Sequence, residues 1–137
     1  MKYYLSLGAN LGNREQTIRT AIRCMEQQIG SVLRESSFYY SAPWGFESEH
    51  SFCNVCCVLE TDKQPLDVLH ITQSIERQLG RTCKSNGHYS DRTIDIDIIR
   101  VMDGEQEIEW NDEELTLPHP LWRERAFVTV PLSEITS

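Results

Sequence analysis

The sequence predicts an α+β fold in which two helices pack against one antiparallel sheet. Two observations support this prediction. Segments that alternate apolar and polar residues recur between residues 2 and 102, and two longer segments among them repeat apolar residues every three or four positions. Their order is β-α-β-β-α-β. With 137 residues, 39% hydrophobic and 25% charged, the chain has the size and composition of one globular domain, residues 1–137.

The first half of the chain contains one helix and three extended segments. Residues 2–7 predict a strand, which Gly8 is expected to end. Residues 14–29 predict a helix, because Asn13 can cap its first turn and apolar residues follow at helical spacing. The next two extended segments are residues 31–40 and 52–61.

The second half begins with another helix. Residues 65–79 predict it, with Pro65 in the first turn. Residues 81–91 are polar without apolar periodicity and predict a mobile loop, and a strand follows to about residue 102. The rest is predicted to form a hairpin at Asp103-Gly104, a return strand at 107–110 and short helices at 121–125 and 126–135. This order matches a ferredoxin-like βαββαβ sandwich, with helices on one face of an antiparallel sheet, plus a C-terminal hairpin and short helices.

Charge and composition limit the classes of partner. The net charge of −8 argues against a general nucleic-acid binder, which normally presents a basic surface. No apolar run is long enough to span a membrane, and the first residues lack an apolar targeting region. We therefore expect a cytoplasmic monomer that binds neither nucleic acid nor a membrane.

Five cysteines leave one unpaired under any disulfide scheme. Cys53 and Cys56 have CxxC spacing, but they lie in a strand-like run without a second pair of ligands. We predict reduced thiols with a structural role rather than a zinc or redox site.

The pair Asp95 and Asp97 is the most informative feature of the chain. Ile94, Ile96 and Ile98 alternate with polar residues here, so both carboxylates of a strand would project from the same face. Their Cα atoms would lie about 6.5–7 Å apart, where like charges repel one another. A hard divalent cation held by oxygen ligands would compensate this repulsion. The alternative is a solvated polar face.

Residues around this pair suggest a polyphosphate substrate bound through magnesium. Guanidinium groups suit phosphate recognition, and a loop that closes over the site can exclude water. The basic candidates are Arg92, Arg81, Lys84, His119, Arg123 and Arg125. For each of them the alternative is a solvent-exposed charge. On the second helix, Gln73 and Glu76 share a face, for which the alternative is ordinary helix surface.

Aromatic residues suggest a slot for a flat heterocycle, with core packing as the alternative. The candidates for this slot are Pro43, Trp44, Phe46, Phe52 and Phe127. Asn54 lies in an apolar strand, where a polar amide should have a partner. Its amide could also read the edge of the heterocycle.

Taken in order, these motifs resemble the 6-hydroxymethyl-7,8-dihydropterin pyrophosphokinase family over nearly the whole chain. The most specific is Arg92-Thr93-Ile94-Asp95-Ile96-Asp97 with Pro118-His119 downstream. The others are Tyr4-Leu5-Ser6-Leu7-Gly8-Ala9-Asn10-Leu11-Gly12, Ser36-Ser37-Phe38-Tyr39 with Pro43-Trp44-Gly45, Phe52-Cys53-Asn54, Gln73-Ser74-Ile75-Glu76 with Gly80-Arg81, and Arg125-Ala126-Phe127.

The resemblance implies transfer of pyrophosphate from ATP to the 6-hydroxymethyl group of 6-hydroxymethyl-7,8-dihydropterin in folate biosynthesis, with AMP as the second product. It implies that Asp95 and Asp97 bind two Mg²⁺ ions on ATP and that Arg92 acts with them in catalysis. By position, the ATP site would contain Gln73, Glu76, Arg81, Lys84, Ile98, Thr116, His119 and Arg125. The pterin site would contain Ser41, Ala42, Pro43, Trp44, Phe52, Asn54 and Phe127.

Three positions depart from the family pattern, and two rival functions stay open. Cys83 stands where better-known members have arginine, Tyr89 where they often have tryptophan, and Glu114 where an arginine can contact ATP. A nucleotidyltransferase would use the same aspartates with a third carboxylate, for which Glu60 is the candidate. A non-catalytic ferredoxin-like ligand-binding module would leave both aspartates without a catalytic role.

Overall fold

The computed structural model describes residues 1–10, 12–41, 52–80 and 94–136. These residues form strands, three α-helices and a 3₁₀ turn at Trp122–Glu124. The strands are β1 (Lys2–Ala9), β2 (Ser31–Glu35), β3 (Tyr39–Ser41), β4 (Phe52–Glu60), β5 (Asp95–Asp103), β6 (Gln106–Glu107), β7 (Trp110–Asn111) and β8 (Thr116–Leu117). The helices are α1 (Arg14–Gln28), α2 (Pro65–Gln78) and α3 (Ala126–Ile135).

Most of the predicted elements are confirmed, but three details differ. β1 continues to Ala9, so the prediction that Gly8 ends this strand was wrong. The segment predicted to be extended at 31–40 divides into β2 and β3. The hairpin at Asp103-Gly104 is confirmed, but its return strand, β6, is Gln106–Glu107 rather than 107–110. Trp110 belongs to β7, which pairs with β8 in a separate sheet. The loop predicted at 81–91 lies outside the described residues.

β1 is the central strand of the main sheet, whose order is β2-β4-β1-β5-β6, with β3 also paired to β4. β1 runs antiparallel to both β4 and β5 along most of its length. Its side chains Tyr3, Leu5 and Leu7 are completely buried. The register of β1 therefore decides which residues of β4 and β5 meet across the sheet.

α1 and α2 cover one face of this sheet. The predicted cap of α1 is confirmed, because the Gln16 N–H donates to Asn13 Oδ1 at 3.2 Å. Ile18 and Met25 of α1 and Ile75 of α2 are completely buried against the sheet. Burial of these apolar side chains is the main force that holds both helices in place.

α3 lies on the opposite face of the sheet, a position that was not predicted for this C-terminal helix. Val128 and Leu132 of α3 pack with Cys56, Val58 and Ile99 of the sheet. β4 is apolar on both faces, with residues 53–59 continuously buried, and its second face also needs cover from water. The result is a mixed α/β fold with an antiparallel sheet and three helices. None of the helices in the described ranges could span a membrane.

Candidate active site

The register of the central strands brings Asn54 and Asp95 to the two sides of Gly8. Gly8 pairs with Asn54 in β4 and with Asp95 in β5. In the next row, Ser6 pairs with Asp97. Directly paired residues of an antiparallel sheet lie on the same face. The polar residues of three strands therefore meet on the face that α3 covers only in part.

The alternation predicted around Asp95 and Asp97 is confirmed. Ile94, Ile96 and Ile98 are buried on the side of α1 and α2, whereas both aspartates are partly exposed. The two carboxylates thus project from one face of β5, as the sequence pattern requires.

This pair suits a magnesium site that a substrate completes. Among the residues that the structure describes, no group of three or more His, Cys, Asp or Glu side chains could hold a metal ion. Mg²⁺ usually binds through one or two carboxylates together with phosphate oxygens and water, because it needs regular octahedral geometry and loses water reluctantly. Asp95 and Asp97 supply the carboxylates of such a set.

Glu76 and Gln73 of α2, which were predicted to share a face, differ in environment. Gln73 is exposed, whereas Glu76 is buried. Glu76 Oε2 accepts a hydrogen bond of 2.7 Å from the backbone N–H of Ile96. Glu76 is therefore attached to the strand that carries the two aspartates.

Asn54 has the partners that a buried amide requires, which confirms that expectation. Its side chain is 3% exposed. Nδ2 donates to Ser41 Oγ at 3.1 Å and to the Tyr39 carbonyl at 3.4 Å. Oδ1 lies over Gly8. Both of these hydrogen bonds engage Nδ2, and neither involves Oδ1.

His119 joins the site from the C-terminal segment. Its backbone N–H donates to the Ile99 carbonyl at 2.8 Å, and the Leu121 N–H donates to His119 Nδ1 at 3.2 Å. Burial lowers the pKa of His119 and the positive charge of Arg125 lowers it further, while Asp95 opposes both effects. A neutral imidazole whose Nδ1 accepts a hydrogen bond carries its proton on Nε2. His119 therefore offers a donor near Asp95.

Arg125, which is predicted to bind phosphate, contacts Phe127, which is predicted to bind the pterin. The Arg125 guanidinium lies 5.7 Å from the centre of the Phe127 ring, a cation–π distance. Phe127 also packs at the edge of the apolar cluster under α3. On β4, Phe52 pairs with Ser41 and lies next to Asn54 in the same strand face.

Ile98 and Thr116 occupy different environments. The Ile98 side chain is 3% exposed and packs in the core with α1 and α2, so only its backbone could reach a ligand. Thr116 is exposed on β8, which lies beside β5. Glu114, one of the departures from the family pattern, pairs with His70 of α2 at 3.1 Å.

Several predicted residues lie outside the described residues. They are Ala42, Pro43, Trp44, Phe46, Arg81, Cys83, Lys84, Tyr89 and Arg92. Gly8, in contrast, is a site residue that the predictions did not include. A glycine inside a strand-forming run often marks the close approach of another group, and this signal was present in the sequence.

Four of the five cysteines lie in the described residues, and their structural role stays a prediction. Cys24, Cys53, Cys56 and Cys57 are free. Burial raises the pKa of Cys53 to about 11 and that of Cys56 to about 12. Burial also raises the pKa of Cys57 far above the ordinary thiol range.

Comparisons of sequence and structure identify known proteins that are similar to this chain. The family model for 7,8-dihydro-6-hydroxymethylpterin-pyrophosphokinase matches residues 4–137. The 2-amino-4-hydroxy-6-hydroxymethyldihydropteridine pyrophosphokinase of Porphyromonas gingivalis is 48% identical over 135 residues, which cover 96% of this chain and 88% of that protein. The protein of the same name from Bacillus subtilis is 38% identical over 133 residues, 96% of this chain and 76% of that protein.

One solved structure resembles the fold. It is described as "Crystal Structure Analysis of the HPPK-DHPS in complex with substrates" and superimposes with a TM-score of 0.71 at 16% sequence identity. The match covers 98% of this chain but 40% of the other one. At this identity the likeness concerns the fold alone.

Proposed function

Because the chain belongs to the 7,8-dihydro-6-hydroxymethylpterin-pyrophosphokinase family, we propose that its reaction takes place on the sheet face that carries Asn54, Asp95 and Asp97. The chain is an ATP-dependent pyrophosphokinase of folate biosynthesis. It transfers pyrophosphate from ATP to the 6-hydroxymethyl group of 6-hydroxymethyl-7,8-dihydropterin, which gives AMP and the pterin diphosphate. The observation that carries the proposed location is the pairing of Gly8 with both Asn54 and Asp95.

The phosphate side of the site lies on β5 and the C-terminal segment. Asp95 and Asp97 would hold the magnesium, for which we propose two ions with bound ATP. When bound, the metal neutralises phosphate charge and orients the phosphate chain. His119 can donate from Nε2 to a phosphate oxygen, and Arg125 supplies a permanent positive charge beside it.

Three more cations are proposed for the phosphates on the family resemblance alone. They are Arg92, which we propose to act in catalysis, and Arg81 and Lys84. Their guanidinium and ammonium groups would add to the stabilisation of charge that develops during transfer.

The pterin side lies on β3, β4 and α3. Asn54 Oδ1 would accept a hydrogen bond from an N–H donor of the pterin, because Ser41 and Tyr39 already engage Nδ2. Phe52 and Phe127 would stack on the two faces of the ring. We propose that the edge of the pterin also binds to backbone groups of Ser41, Ala42, Pro43 and Trp44.

The nucleoside side lies at the outer edge of β5. We assign Gln73 and Thr116 to it because both are exposed and because their elements, α2 and β8, contact this strand. Ile98 would contribute backbone groups only, since its side chain is in the core.

This arrangement performs the reaction mainly by positioning. The hydroxymethyl oxygen of the pterin attacks the β-phosphorus of ATP, a new O–P bond forms, and the hydroxyl proton is released to water. The bond from that phosphorus to the oxygen that bridges it to the α-phosphorus breaks, and AMP leaves with this oxygen. Holding both reactants in line converts a bimolecular step into a unimolecular one, which can lower the barrier by about 7–11 kcal/mol.

The rival functions are less well supported. Glu60 pairs with Lys2, at the end of β1 that is distant from Gly8. It therefore does not supply the third carboxylate that the nucleotidyltransferase hypothesis requires. A non-catalytic module is not favoured, because the relatives at 48% and 38% identity are named pyrophosphokinases. We also propose that the β2-β4-β1-β5 order follows the ferredoxin-like plan and that the enzyme is a cytoplasmic monomer.

A direct assay tests this function. The purified protein, ATP and Mg²⁺ are incubated with and without 6-hydroxymethyl-7,8-dihydropterin, and AMP is quantified by chromatography. We expect AMP to form only with the pterin, in equal amount to the pterin diphosphate, and to disappear when EDTA removes the metal. Absence of pterin-dependent AMP would contradict the proposed function, and AMP formation without pterin would favour another ATP-consuming reaction.

A further inference from the structure

Glu76 is a buried carboxylate attached to the start of β5. It is 8% exposed, and Oε2 lies 2.7 Å from the backbone nitrogen of Ile96 in a buried hydrogen bond. Ile96 is the residue between Asp95 and Asp97, and β5 begins at Asp95. A glutamate is rarely buried without a partner for its carboxyl group. The Ile96 N–H is such a partner here.

The hydrogen bond between Ile96 and Glu76 lies on the side of β5 that faces away from β1. On one side β5 pairs with β1 from residue 95 onwards. On its other side β6 pairs only with Met102 and Asp103, and within the described ranges no strand continues this edge to Ile96. The Glu76 carboxyl group takes the place of a neighbouring strand there, because its Oε2 accepts the hydrogen bond of the Ile96 N–H.

The bond constrains the backbone from which both aspartates project. Ile96 N belongs to the peptide group that links Asp95 to Ile96. The orientation of this peptide group sets the direction in which the side chains of Asp95 and Asp97 project from the strand. Strand ends that lack such a constraint open readily, because they have few neighbours.

We propose that Glu76 is a positioning residue, which holds the start of β5 so that Asp95 and Asp97 keep the spacing that magnesium and phosphate require. This differs from a role of Glu76 in contacting the nucleotide, and it rests on the function proposed above for the two aspartates. Gln73, exposed on the same helix, is the residue of this pair that we propose for contact with the nucleotide.

The first experiment measures hydrogen exchange of the Ile96 amide by NMR in the metal-free protein. We expect Glu76→Ala to accelerate this exchange by at least about tenfold, because the amide loses its acceptor. Glu76→Gln retains a side-chain oxygen that can accept from the same amide, so its exchange stays close to that of the wild type. Gln73→Ala, the matched variant on α2, leaves exchange at Ile96 unchanged.

The second experiment measures AMP formation as Mg²⁺ and the nucleotide are varied. Glu76→Ala should raise the Mg²⁺ concentration for half-maximal activity by about 10–100-fold and lower kcat, as for residues that orient metal ligands. Its preference for ATP over GTP stays within about twofold of the wild type, and Glu76→Gln recovers most of the activity. Gln73→Ala raises KM for ATP without changing the Mg²⁺ dependence.

Three results would overturn the proposal. They are unchanged Ile96 exchange in Glu76→Ala, a shifted nucleotide preference with normal Mg²⁺ dependence, or a Glu76→Gln variant as defective as Glu76→Ala. If the wild type made no pterin-dependent AMP, the proposed function would fail. The exchange measurement would still decide whether Glu76 holds β5.

Discussion

The Asn54 side chain lies directly over Gly8, so closely that a Cβ atom added to Gly8 would be 2.8 Å from Asn54 Oδ1. Real Cβ atoms essentially never approach another atom this closely. The absence of a side chain at Gly8 therefore leaves room for the Asn54 amide, which hydrogen-bonds to Ser41, while Asp95 pairs with Gly8 on the other side.

We expect Gly8→Ala to raise KM for the pterin by about tenfold, which corresponds to about 1.4 kcal/mol. The added methyl group displaces Asn54 Oδ1 from the position that receives the pterin. KM for ATP should change less than about twofold, because the phosphate residues lie on the other side of β1. Steady-state AMP formation at varied pterin and varied ATP measures both values.

A double-mutant cycle with Asn54→Ala is the control for this prediction. Once Asn54 has been replaced by alanine, Gly8→Ala should raise KM for the pterin little further, because the methyl group no longer has an amide to displace. Fully additive effects in the double variant would show that Gly8 acts independently of Asn54.

Asp97→Asn should reduce AMP formation at least about a hundredfold, because a neutral amide is a poor ligand for a hard cation that must balance phosphate charge. The melting temperature should change little, since Asp97 is partly exposed. Circular dichroism gives the melting temperature of each variant. Asp103→Asn, at the exposed end of the same strand, is the matched control and should keep full activity. An active Asp97→Ala variant would remove the case for a metal here.

Arg125→Ala should raise the pKa of His119 in the metal-free protein, because the positive charge that disfavours the imidazolium is removed. In the wild type the folded-state pKa lies below 6.5, so the unfolded chain binds more protons in the interval between the two pKa values. The His119 contribution to stability therefore falls as the pH is lowered through that interval. NMR titration of the His119 ring checks both statements, and a wild-type midpoint above 6.5 would contradict them.

The three buried cysteines of β4 should resist alkylation at pH 8 in the folded protein. With the pKa of Cys53 raised to about 11, about one molecule in a thousand carries the reactive thiolate at this pH. Cys56 and Cys57 are shifted further in the same direction. Mass spectrometry after iodoacetamide treatment should find these sites unmodified until denaturant is added. Rapid labelling of the native protein would mean that β4 opens more easily than its burial indicates.

Local pattern was sufficient for several features of the site. The alternation at residues 94–98 predicted one face for Asp95 and Asp97, and the apolar surroundings of Asn54 predicted that its amide has partners. The cap of α1 at Asn13 was also predicted from the sequence. Each of these depends on residues close together in the chain, where side-chain direction follows from the period of the strand or helix.

Other features were wrong or missed because they depend on distant segments. The pairing of β7 with β8 and the position of α3 follow from which apolar faces remain uncovered after the main sheet has formed. No local preference distinguishes these outcomes from their alternatives.

The sequence by itself determined the elements, their order, the shared face of Asp95 and Asp97 and the family resemblance. Only the tertiary structure decided that Asn54 and Asp95 flank Gly8, that Glu76 holds Ile96, and that His119 lies near Asp95. These relationships join residues from different elements, so they depend on strand register and packing between elements. Both arise from the combined burial of the whole core, which no single segment specifies.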